Sequence, residues 1–560
     1  MTLTKFLGSI ALASASVGAL TVGAGAAIAQ PADFRARADA LVEAAYPAAD
    51  PGAAIVVTRG GRVIYSAGRG FADVEAGRPI TPETSFRLGS IVKQFTAAIV
   101  LQLVAEGRIA LDDPISRFFP DWPQPAGAAT VRQLLNHSSG IQDFSKIPGW
   151  IARNRTRPWT TAELLDVFRD LPPRAPPGHA WEYNNGGYVM LGAIVERVTG
   201  KAWHENVAER ITRPLGLRTI AYGASDEAIR VMARGYTQED GRQQLLPLYH
   251  MSVAHAAGGL VGSVSDMARW AQALHHGRVV SPDLYREMTS PARLADGSTR
   301  PYGFGLRLQQ LLGRRVFVHG GAGAGLDTDS VYVPSEDLFV AVFANSDEPA
   351  SDPSTLTRRL AALALGEPLP TFSRVDVDLA TLEPLFGVYG GGGDDAEPLR
   401  FFSRDGRLFM AEGDRQTEAF AAGQDRFFFG PDALSWFRFV REANGAHVLE
   451  VHMPEHAQPQ RAVRTGAVPP AFTVAASVLR TYVGSYSTEA LPVTIALGEN
   501  GQLSMTPAGQ PPLPMRPVSE TEFHIDGTPM RLVFHPENGQ VNRFTLHRGA
   551  RELHGTRTGP

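Results

Sequence analysis

The amino-acid sequence predicts an α/β (α+β) domain, in which an antiparallel sheet is flanked by helices, followed by two small all-β barrel domains. Between residues 53 and 345, strand patterns stand at both ends and helical patterns lie between them. After about residue 372 helical patterns nearly vanish, and the remaining chain repeats itself. We therefore expect domains over 30–370, 375–465 and 472–558.

The composition indicates a globular protein of several domains. The chain has 560 residues, which is too long for one compact domain, and 44% of them are hydrophobic. A net charge of −4 gives no basic surface for nucleic acid, so no nucleic-acid partner is expected. The chain has no cysteine, which excludes disulfides, thiolate metal ligands and a cysteine nucleophile.

Residues 1–29 have the pattern of a secretory signal peptide. Lys5 precedes an apolar stretch, and Ala27-Ile28-Ala29 matches a cleavage site made of small residues. We expect cleavage after Ala29, a periplasmic or secreted mature protein, and no stable membrane insertion after cleavage. A retained membrane anchor is the alternative.

The first domain opens with a hairpin, in which Gly60-Gly61 separates two apolar strands over 53–58 and 62–68. A helix then runs from Ser90 to a glycine stop at Gly107. The later elements are capping boxes at Thr130/Gln133 and Thr160/Glu163, helices over 186–200 and 263–277, strands over 303–308, 314–320, 329–334 and 338–345, and a helix over 355–365.

The region after residue 372 contains two copies of one pattern of short strands. Leu382, Gly387 and Tyr389 recur 97 residues later as Leu479, Gly484 and Tyr486. Asn444-Gly445 and Asn538-Gly539 are corresponding hairpin turns. Short alternating strands joined by such turns are typical of small β-barrels.

Ser90 and Lys93 form a Ser-x-x-Lys motif. Lysine is rare in this chain, because only Lys5, Lys93, Lys146 and Lys201 are lysines among 53 basic residues. Residues i and i+3 of a helix share a face, so the two side chains can touch. A serine needs a base to become a nucleophile, and a lysine with a lowered pKa can be that base whereas arginine cannot. The alternative is a chance motif on a solvated helix.

Two further motifs carry groups suited to catalysis, Tyr183-Asn184-Asn185 and His319-Gly320-Gly321. A tyrosine beside a lysine can transfer protons, and an asparagine amide can donate to a substrate carbonyl. Glycines at a strand end let a substrate approach the backbone. The alternatives are a polar turn before a helix and an ordinary glycine turn.

In this order the three motifs resemble those of the serine β-lactamase and penicillin-binding-protein superfamily, and most of all its class C β-lactamase-type branch. The segments LLNHSSGI (134–141), AAGGLVGSVSDMARWAQAL (256–274) and PYGFGL (301–306) also resemble that branch. The similarity covers about residues 35–365. It implies a β-lactamase-like serine hydrolase domain.

The resemblance implies a role for each matching residue. Ser90 would be the acylated nucleophile, while Lys93 and Tyr183 would move protons. Asn185 would orient the scissile amide, and the backbone N–H groups of Ser90 and Ala322 would form the oxyanion hole.

The resemblance also implies that His319, Gly321 and Ala322 contact substrate. His319 replaces the lysine of a Lys-Thr-Gly motif found in many relatives, and Gly320 replaces its threonine. An exposed histidine is only partly charged at neutral pH. These changes weaken the case for penicillin-type substrates with a free carboxylate. Asn184 replaces the serine of the Tyr-Ser-Asn motif.

A catalytic domain followed by two barrels is similar to the D-aminopeptidases of this superfamily, which remove an N-terminal D-residue. In those enzymes a loop of the last barrel helps to fit the substrate amino group. The corresponding turn here, over 525–530, is short. We expect Asp526 in that turn to be a surface residue rather than a partner of the amino group.

The expected function is therefore an exported serine hydrolase with an acyl-enzyme at Ser90, a peptidase or amidase related to D-aminopeptidases and D-alanyl-D-alanine carboxypeptidases. Its substrate would be a small peptide, amide or ester. The alternatives are a carboxylesterase or weak β-lactamase of the same fold, and a catalytically silent binding protein. No metal or organic cofactor is expected, and a homodimer is compatible with the sequence.

Overall fold

The computed structural model describes residues 33–559 except 240–241, 248, 324, 391–397, 405, 413–414, 424, 431, 444, 468–472, 490, 499–500, 526–527, 529, 538–539 and 549–550. The expected signal peptide and Asp526 lie outside the described residues. The described chain forms two compact units. One extends to Thr371 and includes Pro454–Gln458, and the other comprises Phe372–Met453 and the chain from Pro459 onward.

Six antiparallel strands form the central sheet of the first unit, in the spatial order β3-β4-β5-β6-β1-β2. They are β1 (Ala53–Arg59), β2 (Arg62–Arg69), β3 (Arg307–Leu311), β4 (Arg314–Ala322), β5 (Asp327–Val333) and β6 (Leu338–Ala344). Strand β1 pairs with β6 from Ala53 opposite Ala344 to Arg59 opposite Leu338. The sheet therefore joins the two ends of this part of the chain.

The first unit also contains helices, some of which pack on each face of this sheet. In chain order they are α1 (Phe34–Ala45), α2 (Lys93–Ala105), α3 (Ile115–Phe118), α4 (Val131–Leu135), α5 (Trp150–Asn154), α6 (Thr161–Asp166), α7 (Asn185–Thr199), α8 (Trp203–Val207), α9 (Arg213–Leu215), α10 (Asp226–Val231), α11 (His255–Gly258), α12 (Val264–His275), α13 (Pro282–Met288) and α14 (Pro353–Ala364). Short strands outside the sheet span Phe71–Asp73, Arg78–Pro79, Phe86–Arg87, Ala221–Tyr222, Tyr236–Glu239, Arg242–Leu245, Leu260–Gly262, Ala292–Arg293 and Thr299–Arg300.

The side chains of β6 alternate between two hydrophobic clusters, because successive residues of a strand point to opposite faces. Val340 and Val342 belong to a cluster with α1 and α14. Phe339 and Phe343 belong to the larger cluster, which contains α2, α7 and α12. Both faces are buried, which explains why β6 reads as an unbroken apolar run in the sequence.

The first hairpin and the two capping boxes are confirmed. Gly60 and Gly61 both have positive φ, as the tight turn between β1 and β2 requires. Thr130 and Thr160 each cap a helix, because the threonine hydroxyl accepts from the backbone N–H of Gln133 or Glu163. In return, the Gln133 or Glu163 side chain accepts from the backbone N–H of the threonine.

The predicted strand over 303–308 is wrong for its first four residues, because β3 starts at Arg307. Gly305 has φ +71°, and a Cβ placed there would lie 2.6 Å from the Lys93 carbonyl oxygen. This segment therefore packs against the start of α2 instead of joining the sheet.

The second unit contains two closed eight-stranded barrels, as expected. The strands of the first are Gly387–Gly390, Leu399–Arg404, Arg407–Glu412, Arg415–Ala421, Phe427–Phe428, Trp436–Arg441, His447–His452 and Gln460–Gly466. Those of the second are Gly484–Thr488, Val493–Leu497, Leu503–Pro507, Leu513–Pro517, Glu522–Ile525, Met530–Glu537, Gln540–Arg548 and Arg551–Gly559, preceded by helix α15 (Ala476–Tyr482). No helix in the described part of the chain combines the length and apolar character that a membrane span requires.

Candidate active site

Ser90 lies on a 3₁₀ turn, Gly89–Val92, that leads directly into helix α2. A 3₁₀ helix places residues i and i+3 above one another. Accordingly, the Lys93 Nζ lies 3.0 Å from the Ser90 Oγ. The structure therefore brings the first two predicted site residues into direct contact through local geometry.

The Lys93 side chain is completely buried and has three polar neighbours. Its Nζ lies 2.8 Å from Asn185 Oδ1, 2.9 Å from the Ala257 carbonyl oxygen and 3.0 Å from Ser90 Oγ. The amide and carbonyl oxygens can only accept hydrogen bonds, whereas the serine hydroxyl can accept or donate. A neutral amine can thus donate to the first two and direct its lone pair at the Ser90 hydroxyl, which is the arrangement that a general base needs.

Burial lowers the pKa of Lys93 to about 7. The negative charge of Asp143 opposes this shift, and the positive charge of Arg307 adds to it. At neutral pH a substantial fraction of Lys93 is therefore uncharged and able to accept a proton.

Asn185 is held by a network that ends on a buried carboxylate. Its backbone N–H donates to Asp143 Oδ2 at 2.9 Å, and its side-chain NH₂ group donates to Ser145 Oγ at 3.0 Å. Ser145 in turn donates to Asp143 Oδ1 at 2.7 Å. These bonds fix the Asn185 amide so that its oxygen points at Lys93, while one amide hydrogen remains for another acceptor.

Asn184 has a structural role that its place in the motif did not reveal. Its side chain caps helix α7 by accepting from the Gly187 N–H at 2.8 Å, and it donates to the Ile141 carbonyl at 2.6 Å. Asn184 thus starts the helix whose first residue is Asn185.

Tyr183 places its ring 4.8 Å from the Lys93 Nζ. Its hydroxyl is buried and makes no hydrogen bond of ordinary geometry to the described residues, although Ser90 lies close enough to lower its pKa. Burial outweighs that effect and raises the pKa of Tyr183 well above its usual value. The phenol therefore stays protonated at neutral pH, which leaves Lys93 as the better base.

His137 packs against Tyr183 with 4.4 Å between ring centroids. It is buried, and its Nδ1 accepts from the Asn184 N–H at 3.2 Å. This histidine therefore helps to position the tyrosine and the helix cap together.

His319 lies beneath the site rather than on its surface, because only 1% of it is exposed. Its Nδ1 faces the Gly320 carbonyl oxygen at 2.9 Å and its Nε2 faces the Tyr302 hydroxyl at 3.0 Å. A carbonyl only accepts, so Nδ1 carries the proton and Nε2 accepts from Tyr302. Burial, with the charges of Arg307 and Lys93, lowers the pKa of His319 well below its usual value. The expectation of a partly charged His319 is corrected, because here the ring is neutral.

Strand β4 lies against the Ser90 turn at Gly321. A Cβ at this position would lie 2.7 Å from the Leu88 carbonyl oxygen and 2.8 Å from the Ser90 nitrogen. Only glycine permits this approach. It brings Ala322, the last residue of β4, and Ser90 to the border of one cavity.

The cavity has a volume of about 240 Å³. It is bordered by Arg87, Gly89, Ser90, Phe144, Ser145, Ile151, Asn185, Tyr249, Met251, Val253, Ala254, Ala257, Gly258, Ala322, Gly323 and Leu326. Of the predicted site residues, Ser90, Asn185 and Ala322 border this cavity. Lys93, Tyr183, His319 and Gly321 are not among the described residues that border it. The space suits a small apolar group placed beside the serine.

Sequence reasoning missed Asp143 and Ser145, which organise Asn185. One feature of the sequence could have indicated this segment: Lys146, one of the few lysines of the chain, directly follows Ser145. Its Nζ donates to the Tyr183 carbonyl at 2.6 Å and to Glu182 at 2.7 Å. Two of the few lysines in this chain, Lys93 and Lys146, therefore have contacts at the site, and Lys146 holds the segment that contains Tyr183.

Comparison with known families places residues 39–365 in the Beta-lactamase family. Among curated proteins, a D-aminopeptidase of Brucella canis is 30% identical over 316 residues, which are 56% of this chain and 60% of that protein. The match therefore spans less than two thirds of the relative's length.

Two solved structures are similar to this one. The octameric penicillin-binding protein homologue from Pyrococcus abyssi has a TM-score of 0.55 and 25% identity, covering 77% of this chain and 99% of its own. The D-amino acid amidase from Ochrobactrum anthropi SV3, complexed with L-phenylalanine amide, has a TM-score of 0.51 and 26% identity, covering 59% and 99%.

Proposed function

Because the chain belongs to the Beta-lactamase family and has its serine hydrolase fold, we propose that it hydrolyses amide or peptide bonds through an acyl-enzyme at Ser90. The observation that carries this proposal is the buried Lys93 amine, whose pKa is about 7 and whose Nζ lies 3.0 Å from the Ser90 hydroxyl. A lysine in this state can activate the serine.

In this mechanism neutral Lys93 takes the Ser90 proton as Oγ bonds to the substrate carbonyl carbon. The N–H groups of Ser90 and Ala322 stabilise the negative charge on the carbonyl oxygen. The C–N bond then breaks, and the leaving nitrogen receives the proton from Lys93, directly or through the Tyr183 phenol. Water hydrolyses the resulting ester with Lys93 again as base, which restores Ser90.

We propose an amide with a D-residue on its acyl side as the substrate. The support is the similarity to proteins named D-aminopeptidase and D-amino acid amidase. A penicillin-type substrate is less well served, because His319 is buried and neutral and Gly320 offers no hydroxyl for a carboxylate.

The test is release of p-nitroaniline from D-alanine and N-acetyl-D-alanine p-nitroanilides and from their L forms. Ser90→Ala is expected to remove turnover, whereas Ser290→Ala, the same change at an exposed serine that follows helix α13, is expected to keep it. Mass spectrometry should detect the acyl group on Ser90. Full turnover by Ser90→Ala would overturn the proposal.

We also propose that the chain is exported and that residues 1–29 are removed. The support is the apolar stretch after Lys5 and the Ala27-Ile28-Ala29 pattern. N-terminal sequencing of the protein from fractionated cells is expected to begin at Gln30, and an intact Met1 would contradict the proposal.

The sequence is compatible with a homodimer, and light scattering after gel filtration will measure the mass of the mature protein. A mass of one chain, or of more than two, would exclude the homodimer.

A further inference from the structure

The cavity beside Ser90 combines an apolar wall with one charged side chain. Phe144, Ile151, Met251 and Leu326 contribute apolar surface. Among the described residues that border it, Arg87 is the charged one, and none is acidic. The cavity therefore offers a positive group and no carboxylate from the described residues to whatever is bound next to the nucleophile.

Arg87 is built into this wall. It belongs to the short strand Phe86–Arg87, directly before the Ser90 turn, and pairs with Val261 of the neighbouring strand. Only 6% of the residue is exposed, and the guanidinium carbon lies 5.8 Å from the centre of the Tyr249 ring. Arg87 is thus a buried part of the cavity that Ser90 also borders, with its guanidinium group beside the Tyr249 ring.

A buried guanidinium remains charged at neutral pH, although burial lowers the pKa of Arg87. Whatever protein groups it already contacts, a positive charge in a wall of low dielectric attracts an anion more strongly than the same charge does in water. A guanidinium has five N–H donors, so it can bond to neighbouring protein groups and still donate to a ligand. Its planar fork matches a carboxylate, which it can bind through two parallel hydrogen bonds.

We propose that Arg87 is an anion-binding group of the acyl pocket, so that the preferred acyl portion carries a carboxylate and an apolar side chain, with no free ammonium group. This inference rests on the proposed function and narrows its substrate class. A free ammonium would enter a cavity that already holds a positive charge, with no acidic side chain among the described residues at its border. The expected preference therefore differs from that of an aminopeptidase.

Three p-nitroanilides test this preference: D-alanine with a free amino group, N-acetyl-D-alanine, which is neutral, and N-succinyl-D-alanine, which is anionic. We expect kcat/KM to be highest for the succinyl compound, by roughly 10- to 100-fold over the acetyl compound, as expected for a hydrogen bond to a charged group. Arg87→Gln should reduce the succinyl-to-acetyl ratio by at least about tenfold. Arg286→Gln, a matched change at an exposed arginine on α13, should leave the ratio unchanged.

Binding of N-succinyl-D-alanine amide and D-alanine amide to the Ser90→Ala protein, measured by titration calorimetry, tests this inference independently of the hydrolytic chemistry. Tighter binding of the succinyl compound supports the inference even if no anilide is hydrolysed, and this comparison requires no Arg87 variant to fold. Turnover with a preference for the free ammonium substrate, or tighter binding of D-alanine amide, would overturn the Arg87 inference and leave the acyl-enzyme proposal in place. If no acyl-enzyme forms but the succinyl compound still binds more tightly, the acyl-enzyme proposal is overturned and the Arg87 inference stands.

Discussion

At the scale of single residues, the charge of Lys93 links the environment of the site to its chemistry. Burial makes the folded-state pKa, about 7, lower than the value of ~10.5 for an exposed lysine. Protonated Lys93 is therefore unfavourable in the folded protein. The contribution of this residue to stability improves as pH rises from about 7 towards ~10.5, because the unfolded chain binds the additional proton in that range.

The same pKa predicts the pH dependence of catalysis. The general base must be neutral, so kcat/KM is expected to rise with pH through about 7 and then level off. Lys93→Arg should lose roughly 100- to 10,000-fold in activity and lack this rise, because arginine stays protonated. A pH profile of kcat/KM for both proteins checks this. An unchanged rise in the arginine variant would contradict the role of Lys93.

Two charged neighbours should shift that profile in opposite directions. The carboxylate of Asp143 raises the pKa of Lys93 and Arg307 lowers it. Asp143→Asn is therefore expected to move the rise to lower pH, and Arg307→Gln to higher pH. Both profiles are measured at the same ionic strength, because screening weakens such effects. Shifts in the same direction would show that another group controls the profile.

At the scale of elements, the approach of strand β4 to the Ser90 turn positions both backbone donors of the proposed oxyanion hole. Gly321 allows this approach, because a Cβ would come within 2.8 Å of the Ser90 nitrogen. Gly321→Ala is expected to separate the two elements and lower kcat by roughly 100-fold, about the cost of one oxyanion donor.

The matched control for Gly321→Ala is Gly466→Ala, because a Cβ at Gly466 meets no atom within 4 Å. Steady-state kinetics measure kcat for both variants, and thermal unfolding checks that both are folded. Wild-type kcat in Gly321→Ala would contradict this role for the strand.

At the scale of the whole molecule, the repeated sequence corresponds to two barrels built with the same internal contacts. The Tyr389 hydroxyl donates to the Leu385 carbonyl, and the Tyr486 hydroxyl donates to the Tyr482 carbonyl, four residues earlier in each case. The two tyrosines belong to separate hydrophobic clusters. Each barrel therefore has its own core.

Tyr389→Phe and Tyr486→Phe should each reduce the free energy of unfolding by about 1 kcal/mol, because each removes one hydrogen bond in a barrel core. The stability changes of substitutions at sites without shared partners usually add to within about 0.5 kcal/mol. The free energy of unfolding of the double variant is therefore expected to fall by the sum of the two single changes. Denaturant unfolding of the three variants measures this. A coupling energy well above that value would show that the two cores are not independent.

The sequence by itself determined what depends on neighbours along the chain. The contact between Ser90 and Lys93 follows from their spacing on one helical turn, and the Thr130 and Thr160 caps follow from their spacing to Gln133 and Glu163. The internal repeat similarly predicted two closed barrels. Local sterics and hydrogen bonding set short-range geometry and periodicity, and both depend on which residues are near one another along the chain.

Only the tertiary structure decided what depends on residues far apart in the chain. Lys93 has a pKa near 7 because packing buries it beside Asn185 and the Ala257 carbonyl, 92 and 164 residues away. His319 is neutral because strand β4 buries it against Tyr302. Burial and electrostatic environment arise from contacts between distant segments, and no local pattern in the sequence specifies how those segments meet.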